Sequence, residues 1–177
     1  MIGVATNVQD EDLEVAARYF AGLKPRPWIE VRETDAVAST RVGGFMLVPV
    51  DGGGTEPIGE RIVEVAADLG RTELRDDASG FVAFVPVGSR EKGERIAASG
   101  DGGRIAPCVS CHGPALRGLD AAPPLAGRSP SYLVRQLYDF KHGARHGTGG
   151  APMQAAAAPL TLADMIAVAA YAAALNP

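Results

Sequence analysis

The chain has 177 residues, 46% hydrophobic and 21% charged, enough for one or two small globular domains and unlike disordered, collagen-like or coiled-coil sequences. Its longest apolar stretch, Met165 to Leu175, falls short of the ~18–20 residues that cross a bilayer, so no membrane span is expected. The net charge of −4 is uneven: the part from Ser89 onward carries nine basic and six acidic residues and the first 88 carry eight and fifteen, with no basic block dense enough for nucleic acid.

Leu13, Ala16, Ala17, Phe20 and Leu23 recur at helical spacing behind Asp10, Glu11 and Asp12, with Lys24 following. This predicts an amphipathic helix with charges matched to its dipole. Pro25 and Pro27 stop it. β-Branched and aromatic runs punctuated by glycine then predict strands near Trp28–Arg32, Arg41–Val50, Arg61–Val65 and Phe81–Val87, with the single tryptophan, Trp28, as a core anchor. Gly52-Gly53-Gly54-Thr55 lacks a following Lys-Ser or Lys-Thr and reads as a loop. Glu56, Glu60, Asp76 and Asp77 have no cleft to serve as acid–base pairs. Ser89 resembles the N-cap of a helix from Arg90 to about Ala98. Helices are also expected at Ser131–Lys141 and Thr161–Leu175, the second with Thr161 and Asp164 spaced as a capping box.

The first 25 residues repeat in the last 25. A shift of 152 pairs Met1 with Met153, Ala5 with Ala157, Asp12 with Asp164, Ala17 with Ala169, Tyr19 with Tyr171, Leu23 with Leu175 and Pro25 with Pro177, without a gap.

Cys108-Val109-Ser110-Cys111-His112 is the C-x-x-C-H pattern of covalent haem attachment. Two thiols three positions apart suit the two vinyl groups on one porphyrin edge, and the adjacent imidazole then falls under the iron. A thioredoxin-like redox pair would sit after a strand in a βαβ unit, and a zinc site would need two further Cys or His ligands where only His142 and His146 remain. Of the four methionines, Met153 alone follows a Gly-rich approach after the motif. A thioether there would be a soft second ligand that raises the iron's potential. His142 and His146 are the competing ligands.

Gly93, the Cys108–Gly113 motif, Pro123-Pro124-Leu125-Ala126-Gly127, Tyr132-Leu133, Arg135-Gln136-Leu137, Phe140-Lys141, Met153 and Tyr171 together resemble a class I cytochrome c, in particular the C-terminal half of the bacterial tandem two-haem proteins. The resemblance implies a mainly α cytochrome c domain over 89–177. Before it would come a β-rich irregular connector over 26–88 and, over 1–25, a helix like the tail of a first cytochrome domain whose haem motif is missing. It implies one haem c (iron) per chain, His112 and Met153 as ligands, and the Pro123 carbonyl as acceptor of the His112 Nδ1 proton. It places Gly93 and Tyr171 at a helix crossing, and Tyr132, Arg135 and Gln136 near the haem edge.

The expected function is electron transfer between a redox donor and acceptor protein, without catalysis. One alternative is a haem subunit of a respiratory, dehydrogenase or oxidase complex. Another is an open-site peroxidase or gas-binding protein, for which no distal acid–base set is visible. A periplasmic location is expected although no export signal opens the sequence. That absence agrees with a truncated first domain; the rival reading has Met1 and its helix completing a haem domain on another chain.

Overall fold

The computed structural model describes residues 2–44 and 46–177; the pairing of Met1 with Met153 therefore lies outside the described residues. Two short helices open the chain, α1 (Ile2–Ala5) and α2 (Asp10–Gly22). The β-rich segment follows with β1 (Ile29–Glu33), β2 (Ala36–Ala38), β3 (Thr40–Gly43), β4 (Met46–Pro49), β5 (Thr55–Pro57), β6 (Val63–Ala66), α3 (Leu69–Glu73) and β7 (Phe81–Val85). Then come α4 (Ser89–Gly103), α5 (Val109–His112), a 3₁₀ turn at Pro114–Leu116, α6 (Pro130–Lys141), α7 (Ala151–Ala157) and α8 (Leu162–Ala174).

The strands form a five-stranded mixed sheet in the order β1-β7-β6-β4-β3, and β2 pairs separately with β5. β1 runs parallel to β7, with Ile29 opposite Phe81, and β7 runs antiparallel to β6. Val37, Ile58 and Val63 form a small core with Leu47, Val65 and Phe84 packed on it. Trp28 departs from its expected role. It is 51% exposed at the margin of the sheet, set edge-on against Phe81, with its indole N–H donated to the Ser79 carbonyl at 2.5 Å. An indole whose N–H must find a partner is more easily satisfied at such a margin than in an apolar interior.

The C-terminal half is built around α8, which is buried on every side from Asp164 to Ala170 and again at Ala172 and Ala173. A helix apolar all round needs neighbours all round. α4 and α6 supply two of them, and β1 lies against it as well. The crossing with α4 is backbone to backbone: a Cβ on Gly93 would lie 2.0 Å from the Ala167 carbonyl oxygen and 2.8 Å from Tyr171 Cβ. The N-cap of α4 is Gly88, with φ +82°, and Ser89 is the first helical residue rather than the cap. The cap group comes from the sheet instead: the Arg90 N–H donates to the Glu33 carboxylate at 2.8 Å.

The capping box at the start of α8 forms as the spacing predicts, with Thr161 Oγ1 accepting the Asp164 N–H at 3.1 Å and Asp164 Oδ2 accepting the Thr161 N–H at 3.0 Å. Asp164 also meets Lys92 Nζ at 2.9 Å and Arg104 Nη1 at 3.1 Å, so one carboxylate ties α8 to α4 and to the segment after it. Burial alone would raise its pKa. The Thr161 N–H, Lys92 and Arg104 outweigh burial and hold the carboxyl well below the usual carboxylate range.

Shifted by 152, the bounds of α2 fall on those of α8. Their surroundings differ: no residue of α2 is buried, and Leu13, Tyr19, Phe20 and Leu23 are all more than half exposed.

Two outcomes follow from this packing. Phe20→Ala should change the unfolding free energy of this chain by less than about 0.5 kcal/mol, and Met165→Ala should cost about 2–5 kcal/mol, in urea melts. Asp164→Ala should cost about 2–3 kcal/mol at neutral pH, allowing for the partly exposed partners. Because the folded-state pKa is lowered, that contribution is full above about pH 4 and disappears as pH falls, so the variant's pH–stability curve should have a shallower acid-side slope than the wild type's.

Candidate functional site

The site begins where α4 stops. Gly100, Asp101 and Gly102 adopt left-handed conformations, and the Ile105 N–H returns to the Gly100 carbonyl at 3.0 Å, turning the chain toward Pro107. Cys108 is the N-cap of α5; its carbonyl accepts the His112 N–H at 2.9 Å and the Cys111 N–H at 3.3 Å. Ser110 Oγ donates to the Pro107 carbonyl at 2.6 Å. One turn of helix thus places two free thiols and an imidazole together, with Cys108 half-buried and Cys111 exposed. Burial, with a smaller contribution from neighbouring Cys111, pushes the Cys108 thiol above its ordinary pKa.

His112 is 6% exposed, and its Nδ1 lies 2.8 Å from the Pro123 carbonyl oxygen. A carbonyl only accepts, so Nδ1 carries the proton and Nε2 is the nitrogen left to bind a further group. Gly113, at φ +75°, reverses the chain so that the Gly118 N–H meets the His112 carbonyl at 2.8 Å. A Cβ on Gly113 would lie 2.7 Å from the Gly118 oxygen. The loop bearing Pro123 is pinned along its length. The Leu116 carbonyl accepts the N–H groups of Leu125 and Ala126, and the Ala172 carbonyl of α8 accepts that of Gly127.

Met153 follows the Gly-rich approach and lies inside α7, two residues past its start at Ala151. It is half-buried against the cluster of Ile96, Ile105, Phe140, Ala157, Leu160, Met165 and Val168, and Cys108 packs on the same cluster. Tyr132 and Arg135 are exposed on α6; Gln136 is half-buried and accepts a hydrogen bond from Arg145 Nη1 at 2.5 Å. His142 caps the end of α6 and His146 bonds the Gly143 carbonyl, both exposed.

The sequence reading passed over Arg145, whose guanidinium also lies 4.6 Å from the Phe140 ring centre, and over Glu64, which accepts hydrogen bonds at the start of α6. Glu64 meets Ser129 from 65 residues away and Arg145 meets Gln136 from nine, separations that no spacing rule signals.

The donor set suits a covalently held haem. Two unpaired thiols one turn apart can bond its edge, an imidazole with its second nitrogen unengaged can meet the iron, and a thioether stands on the same apolar wall as one thiol.

The profile of the family described as Cytochrome c matches residues 91–176. The chain is 37% identical over 99 residues to the thiosulfate dehydrogenase electron acceptor of Thiomonas intermedia (strain K12), covering 54% of this chain and 46% of that protein. It is 31% identical over 134 residues to the cytochrome c4 of Azotobacter vinelandii, covering 67% and 63%. A solved cytochrome c4 from Acidithiobacillus ferrooxidans overlays 50% of each chain with a TM-score of 0.46 and 34% identity. The chain spans about half the length of the curated relatives it matches.

The backbone at the motif leaves no room for a side chain at Gly113. At φ +75° and ψ 174° Gly113 lies in a region used essentially only by glycine, so Gly113→Ala should lower the unfolding free energy by about 1–3 kcal/mol through the backbone alone, and by more through the contact with Gly118; denaturant titration of the purified variant checks this.

Proposed function

From the match of residues 91–176 to the cytochrome c family, we propose that this chain is a single-electron carrier holding one haem c through Cys108 and Cys111, with His112 and Met153 as iron ligands. The observation that carries the reading is the buried His112 whose Nδ1 is engaged by the Pro123 carbonyl, beside the two free thiols. Bound there, the haem supplies a one-electron Fe(III)/Fe(II) couple.

The chain's own residues tune and protect that couple. The Pro123 carbonyl fixes the imidazole's orientation and strengthens its basicity. Met153 would contribute a soft sulfur and, with His112, would hold the iron. Because the same two ligands serve both oxidation states, little needs to move when the electron does. Tyr132, Arg135 and Gln136 are the residues we assign to hydrogen-bonding a propionate edge; Gln136 also accepts a hydrogen bond from Arg145.

The partners we propose are a redox donor and acceptor met through small, transient interfaces in the periplasm. The relatives named thiosulfate dehydrogenase electron acceptors favour an oxidoreductase complex as the donor side. The division of the chain that we propose is a cytochrome domain over 89–177, a β-rich connector over 26–88 and, over 1–25, a counterpart of the 153–177 segment. The coincidence of α2 with α8 under one shift supports this last part. The apolar stripe of α2, Leu13, Ala16, Ala17, Tyr19, Phe20 and Leu23, maps onto Met165, Val168, Ala169, Tyr171, Ala172 and Leu175, which pack on the core around Cys108.

The test is an optical spectrum of the haem-loaded protein. A weak far-red charge-transfer band in the oxidised state, lost in Met153→Ala, is the expected outcome. A high-spin iron, or carbon monoxide binding by the unmutated reduced protein, would favour an open-site function instead.

A further inference from the structure

The start of α6 has a gap in its own capping. Pro130, at the first helical position, has no N–H. The Tyr132 N–H is taken by Ser129 Oγ at 3.2 Å and the Leu133 N–H by the Ser129 carbonyl at 3.0 Å. That leaves the Ser131 N–H, and its acceptor comes from outside the helix: Glu64 Oε2, in β6, receives it at 3.3 Å and receives the Ser129 hydroxyl at 2.8 Å. A carboxylate at this end of a 12-residue helix also faces the positive end of its dipole. The pairing spans 65 residues and joins the β-rich segment to the domain that carries Cys108 and His112.

Ser129 is also the last residue of the loop that begins at Pro123. Leu125 and Ala126 are anchored on Leu116, Gly127 on Ala172, and Ser129 on Glu64. At the other end of that loop, the Pro123 carbonyl holds His112. Downstream, the first two turns of α6 carry Tyr132, Arg135 and Gln136.

We propose that Glu64 is a positioning residue for the redox centre: by fixing the start of α6 and the end of the Pro123 loop, it sets the His112–Pro123 hydrogen bond and, through it, the haem's potential. This rests on the electron-carrier reading. It gives the β-rich segment a role that the haem motif does not contain. Glu33, the matching sheet carboxylate on the Arg90 N–H of α4, caps a helix that meets the motif only after the Gly100–Gly103 break, so it carries no such role.

The two attributes of Glu64, reach and charge, can be separated. Glu64→Asp keeps the charge but draws the carboxylate back by one methylene; Glu64→Gln keeps the reach and an acceptor oxygen without the charge. In the haem-loaded protein, Glu64→Asp should raise the midpoint potential, because a weaker hydrogen bond leaves the imidazole less electron-donating toward Fe(III). The shift should be at least threefold in the Fe(III)/Fe(II) ratio at fixed poise, about 28 mV at 59 mV per tenfold, with faster hydrogen exchange at the His112 Nδ1–H by NMR. Glu64→Gln should stay within that threshold, and Glu33→Asp should lower the thermal midpoint without moving the potential.

Wild-type potential and exchange in Glu64→Asp would overturn the proposal. So would an equal shift in Glu64→Gln, which would assign the effect to charge alone. If the wild-type protein itself lacks the far-red band of His/Met ligation, the carrier reading falls and this inference with it; if that band is intact and the potentials do not move, this inference alone fails.

Discussion

The arrangement of the C-terminal half depends on burying one helix on all its sides. α8 is apolar around its whole circumference, and Ala residues at seven of its thirteen positions let neighbours approach its backbone. α4 approaches closely enough that only glycine fits at position 93. Alanine loses no side-chain freedom on burial, so such a helix can be enclosed at low entropic cost provided every side is covered. α4, α6 and the sheet strand β1 provide that cover, and Asp164 fixes the helix's start against two cations. The Pro123 loop hangs from this helix through the Gly127–Ala172 hydrogen bond. The position of the imidazole's acceptor therefore depends in part on how α8 is packed.

That rigidity suits the chemistry. An electron carrier works best when its ligands change little between oxidation states, and a histidine held on a short helical turn, capped by Cys108 and braced by Pro123, has little freedom to move. Cys111 is exposed while Cys108 faces the apolar cluster shared with Met153. This asymmetry fits a group with one edge toward solvent and its plane against an apolar wall.

What was legible beforehand follows the range of the interactions. The Cys108–His112 motif, the Thr161–Asp164 capping box and the strands at Trp28–Arg32, Arg61–Val65 and Phe81–Val87 are local patterns that form close to where their spacing indicates, whereas Arg41–Val50 is two antiparallel strands, β3 and β4, and β2 and β5 were not expected. The Ala-rich terminal helix signalled close packing, and the crossing at Gly93 was implied by resemblance. The features missed depend on partners distant in sequence. Glu33 caps α4 from 57 residues away, so Ser89 resembled a cap while the group that fills the role lay in a strand. Glu64 completes α6 from across the fold. Trp28 satisfies its indole N–H at a sheet margin, which its aromatic character alone suggested would be core. Met153 sits on a helical turn because Pro152 follows the glycines and is tolerated at a helix start.

The central claim is that Cys108 and Cys111 hold a haem by covalent bonds. Its most direct test is the intact mass, under denaturing conditions, of the chain produced with cytochrome-maturation machinery. The expected mass is that of the polypeptide plus one haem, retained in denaturant and lost when both cysteines are replaced by alanine. A bare polypeptide mass, or haem that dissociates on unfolding, would contradict it.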